Sequence, residues 1–223
     1  DRLANLVLPN AMVEGQVDRI VEATLDAIYV AEPAMTEFET AYPGMRDALG
    51  AAMKPVIVFH ARRYLPLQRA ELSQLYQSRL TLDEASQIAD FMAGPAMSKF
   101  TAAARANIEF KGIAKSLAAE KDATASDLRG DIGAAGGKAV ATLTPAERQQ
   151  IAAFMFSPLG IKLNSMRNEK LAIDTKWANF TDAEGERDIE AAIKTAMFEH
   201  VALTDPEMAK QLKAEMDKPD PGT

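Results

Sequence analysis

Lys170 is the residue of this chain whose position most invites chemistry. At about 100° per residue, Leu159, Leu163, Met166, Ile173 and Trp177 fall within a narrow arc of one helix face, and Lys170 stands in the middle of it. Asn107 interrupts a second stripe, of Ala96, Phe100, Ala103, Phe110 and Ala114. His60 sits among Leu49, Met53 and Val56, and His200 among Ile189, Ile193, Ala196 and Leu203. A buried lysine or imidazole has to be paired or neutralised. A desolvated lysine can act as base or amine nucleophile, and Lys170 with Asn107 and His60 would make a small polar site for binding a ligand or moving a proton. A plainer reading fits the same pattern better. The lysine stem covers the stripe while its ammonium reaches water or Asp174, one turn on, and the other three residues serve structural hydrogen-bond networks. On that reading no catalytic residue is assigned.

The most basic stretch, His60-Ala61-Arg62-Arg63-Tyr64 with Arg69 nearby, could grip an anion or an acidic partner; a solvated helix end explains it as well. Other motifs fail on spacing. Gly133-Ala-Ala-Gly-Gly-Lys138-Ala139 lacks the spacing, the magnesium-holding hydroxyl and the preceding strand of a phosphate loop. The acidic run Asp182, Glu184, Glu186, Asp188 and Glu190 has Gly185 in the wrong place for a calcium loop; carboxylates at a helix start are explained by the macrodipole. Asn179-Phe180-Thr181 is a glycosylation sequon by spelling only. No Gly-x-Ser-x-Gly, Ser-x-x-Lys or His-Glu-x-x-His occurs. With 2 histidines and no cysteine, neither a histidine-rich metal site nor thiolate chemistry is expected, and no cofactor is assigned.

The elements that would position these residues are helices throughout, because apolar residues recur at the helical period and no stretch alternates like a strand. Asn10 is expected to cap a helix with Val13, Val17, Ile20, Val21, Leu25 and Ile28 on one face, ending before Pro33. After the turn Tyr42-Pro43-Gly44 a helix runs towards Tyr64, kinked at Pro55, and Leu65-Pro66 separates it from a helix over 68–80. A stretch is then written twice at an offset of 63: LTLDEASQIADFMAGPAMSKF from Leu80, and LTPAERQQIAAFMFSPLGIKL from Leu143. Thr81-x-x-Glu84 and Thr144-x-x-Glu147 spell capping boxes, and Gly94-Pro95 and Ser157-Pro158 open a second helix in each copy. Ile88, Ile151, Phe91, Phe154, Met92 and Met155 are expected in the core.

The glycines between Lys121 and Gly137 predict a loop or frayed helix between the copies. Thr181-x-x-Glu184 spells another capping box, and Lys218–Thr223 a loose tail. The expected architecture is an all-α multi-helix bundle: one domain over 1–218 with two internally repeated helix–corner–helix hairpins, near 81–118 and 144–178, and a tail over 219–223.

The second corner, Phe154-Met155-Phe156-Ser157-Pro158-Leu159-Gly160-Ile161-Lys162, resembles DUF2059, a bacterial family of unknown function whose hallmark is a capped acidic helix followed by Phe-Tyr-x-Ser-Pro-x-Gly-x-Lys. Met155 stands at the Tyr position; the Phe, Ser, Pro, Gly and Lys positions are kept. The first corner departs further, with Gly94 for Ser157 and Met97 for Gly160. The resemblance implies an all-helical protein exported to the Gram-negative periplasm, and it brings no activity or catalytic residues.

A net charge of −7 argues against a nucleic-acid partner, and no apolar run is long enough to cross a membrane. The visible chain starts at Asp1 rather than Met, so a removed targeting segment is expected. The first functional expectation is a non-enzymatic exported protein that binds a protein partner, or another copy of itself, in a cell-envelope assembly. The second is a carrier for a small apolar or amphipathic ligand in a Met- and Phe-lined space between the copies. The third is an enzyme using Lys170. Ligand binding is assigned to His60, Asn107 and Lys170, and partner binding to Arg62, Arg63 and Arg69.

Overall fold

A computed structural model describes residues 1–119, 121–180 and 182–216. They form an all-α multi-helix bundle with no strand among them: α1 (Arg2–Val7), α2 (Ala11–Ala31), α3 (Pro33–Ala41), α4 (Met45–Arg79), α5 (Leu82–Ala93), α6 (Pro95–Asn107), α7 (Lys111–Ala118), α8 (Ala125–Ala141), α9 (Pro145–Met155), α10 (Pro158–Ser165), α11 (Arg167–Ala178), α12 (Ala183–Ala202) and α13 (Pro206–Met216). Thr181 and the tail expected at 219–223 lie outside the described residues.

The organising element is α4, 35 residues long and unbroken through both prolines, where the sequence predicts two helices. A proline inside a helix frees the carbonyl one turn back. Pro55 and Pro66 are exposed, as are Ala51 and Arg62 one turn before them, so water can satisfy what the prolines release. The two prolines are also about three turns apart and share an exposed face. Away from the prolines the helix buries Met45, Leu49, Met53, His60, Leu65, Leu72 and Tyr76. α2 lays Val13, Val17, Val21 and Leu25 against it, and α12 covers its other flank.

Gly44 precedes α4 at φ 92, a left-handed conformation only glycine adopts cheaply, and Glu39 caps the helix by accepting from the Gly44 and Arg46 amides at 2.8 and 2.7 Å. Burial opposes ionisation of Glu39, yet these amides hold its carboxyl below the usual range. Asn10 does not cap α2; its side-chain oxygen accepts from Arg69 at 2.7 Å.

The three capping boxes at Thr81, Thr124 and Thr144 form with both hydrogen bonds each. The one at Thr124 was not legible as such, because Asp127 replaces the expected Glu or Gln. It opens α8, a 17-residue helix where a loop or frayed segment is predicted. Gly130, Gly133 and Gly137 face open space, so they cost propensity without costing packing, and Leu128, Ala135 and Ala139 anchor the buried side.

Each repeated corner is a helix, a tight turn and a second helix, but both second helices are interrupted. The first breaks after Asn107, where Phe110 takes φ 53, and the second at Met166. Subtracting 63 places Ser165, the last residue of α10, at 102, so the second break comes five residues earlier than the first. Between the corners the Phe91 and Phe154 rings stack at 3.7 Å and 6°, filling the space in which a Met- and Phe-lined ligand cavity is predicted.

The expected core holds for Ile88, which is fully buried. Phe91, Met92, Ile151 and Phe154 are half-buried, and Met155 is exposed.

Candidate binding site

His60 is buried on α4 at 6% exposure and carries the most connected polar network on that helix. Its Nε2 lies 2.9 Å from Asp188 Oδ2 on α12, and its Nδ1 lies 3.3 Å from the Tyr64 hydroxyl, one turn along α4. Tyr64 also hydrogen-bonds Asp182, the N-cap of α12, whose Oδ1 accepts from the Gly185 amide at 2.8 Å. Burial, then the Asp182 contact, pushes the Tyr64 phenol up, whereas the Gly185 amide, then Tyr64, holds the Asp182 carboxyl down. The Tyr64 hydroxyl has one proton. If it donates to Asp182, its oxygen faces Nδ1 as an acceptor.

Gly185 lies directly against this network, at ordinary van der Waals distance. A Cβ there would meet Asp182 Oδ1 at 3.4 Å, and His60 Nδ1 and the Tyr64 hydroxyl at 3.5 Å. Phe180 packs edge-on to Tyr64 at 5.0 Å, and Trp177 touches both rings. The network is a clasp between α4 and the start of α12, with α11 closing its side.

On the outer face of α4, directly beside the clasp, lies an open groove of about 740 Å³ lined by Lys54, Pro55, Val58, Phe59, Arg62 and Arg63. Phe59 is 58% exposed although it packs edge-on against the His60 ring at 5.1 Å. Lys54 pairs with Asp18 and Arg62 with Glu14, both on α2, and Arg63 pairs with Glu184 on α12. All six of these side chains are about half exposed or more. Exposed pairs are worth about 1 kcal/mol or less, so a carboxylate brought by a partner can exchange into them.

The other predicted residues do not join this site. Asn107 ends α6 and donates to the Ala103 carbonyl of its own helix at 2.8 Å. Lys170 lies inside α11 and pairs with Asp174, also on its own helix, with its side chain a third exposed. Among the described residues neither bonds a neighbouring helix, and the shifted break leaves the two in different settings. It is Asp174 that reaches across, accepting from Gln68 of α4 at 3.4 Å. The Lys170 stem covers the stripe while its head reaches a carboxylate, which is snorkelling. Arg69 is a structural clamp: its Nε donates to the Leu8 carbonyl at 2.6 Å, just past the end of α1. His200 lies 3.1 Å from the Pro43 carbonyl and holds the Gly44 turn against α12. The sequon asparagine, Asn179, is engaged twice with the Ala123 backbone, at 2.7 and 2.9 Å.

Tyr64, Asp182 and Asp188 escaped the reading of the sequence. The i, i+4 spacing of His60 and Tyr64 was the available signal. The carboxylates were hidden in an acidic run that the helix dipole already explained. Among the described residues no group of carboxylates and histidines is arranged to hold a metal, and no helix is long and apolar enough to cross a membrane. Compared with known protein families, curated proteins and solved structures, this chain matches none.

Proposed function

We propose that this is a non-enzymatic helical binding protein of the cell envelope, whose α4 groove docks an acidic, apolar-faced segment of a protein partner. One observation carries the reading: exposed Phe59 and its neighbours Pro55 and Val58 form an apolar floor, between cations whose present ion pairs are solvent-exposed and exchangeable. The clasp beneath keeps that floor rigid, because His60 ties the same turn of α4 to α12. An envelope location is supported by the likeness of the second corner to DUF2059. The test is a quantitative pull-down from envelope extract with wild-type bait and with Phe59→Ser/Arg62→Glu. Specific partners should fall at least about tenfold with the variant; an unchanged profile removes the groove from the function.

A second reading, a carrier for a small apolar ligand, is favoured by a cleft of about 560 Å³ between α12 and α13, lined by Ile189, Ile193, Met197 and Leu212. Native mass spectrometry decides it: a co-purified ligand lost in Ile193→Asp supports the carrier.

A further inference from the structure

We draw no further inference here: the strongest candidate, the exposed apolar patch of Met155, Phe156 and Ile161 at the second corner, is an unpartnered surface, and nothing in the structure shows what covers it.

Discussion

The corner at α5–α6 and the corner at α9–α10 carry nearly the same instructions and meet different fates. Both begin with a Thr–Glu capping box, turn after Phe-Met, and restart at a proline. They also lean on each other through matching residues: Phe91 stacks on Phe154, Lys99 pairs with Glu147, and Lys162 pairs with Glu84. Each of these contacts joins one corner to the other through positions the repeat makes equivalent, the pattern of an isologous interface. Yet Ile88 is fully buried while Ile151 is not, because only the first corner receives α1. Local sequence builds the motif, and neighbours decide what it is worth.

The sharpest way to break the comparison is at the turn. A Cβ on Gly160 would lie 2.0 Å from the Phe154 carbonyl oxygen and 2.7 Å from Met155 Cα, whereas one on Gly94 would meet the Phe91 oxygen at 3.0 Å. Gly160→Ala should therefore cost about 3–5 kcal/mol in chemical denaturation, as backbone has to move. Gly94→Ala, at an N-cap with φ −65, should cost less than about 1 kcal/mol. A loss at Gly160 as small as that at Gly94 would mean that the close approach does not hold the second turn.

Next in size is the covered face. Ile88→Ala should lose about 2–4 kcal/mol, and Ile151→Ala about 1 kcal/mol, since only the first leaves a cavity that cannot collapse onto solvent. A loss at Ile151 as large as at Ile88 would mean that α9 is covered in solution.

The caps should not distinguish the corners. Thr81→Ala and Thr144→Ala each remove the same two-bond box, and each should cost about 1 kcal/mol in the same assay.

The smallest effect is the pH dependence of the crossed ion pairs. Lys162, then the Thr81 amide, holds the Glu84 carboxyl below its usual range; Lys99, then the Thr144 amide, does the same for Glu147. A depressed carboxyl contributes stability that is complete above its unfolded value of about 4.3 and disappears as pH falls through the folded value. Denaturation curves between about pH 6 and 3 should therefore show acid weakening, shallower in Glu84→Gln/Glu147→Gln. Equal relief from either single substitution would support the equivalence of the two pairs, and relief from one alone would break it.

Much of this was legible from the residues. The Thr–Glu boxes, the prolines at first helical positions and the apolar stripe of α2 state their structure locally, within a turn or two of chain. Lys170 was legible too, since its partner Asp174 is one turn away. What failed was non-local. Pro55 looks like a kink and Pro66 like a helix end until it is known that they face water. The glycines of α8 look like a loop until it is known that they pack against almost nothing. The His60 clasp joins residues 128 apart, and no period or spacing links α4 to the N-terminus of α12.

By itself, then, the sequence determined an all-helical chain, its corners and most of its caps, because those depend on backbone groups satisfied by near neighbours. Tertiary structure alone decided which copy of the repeat is buried, which prolines a helix can bear, and which carboxylates meet His60. Burial and long-range pairing depend on what other segments bring to the same place, and that information is spread over the whole chain.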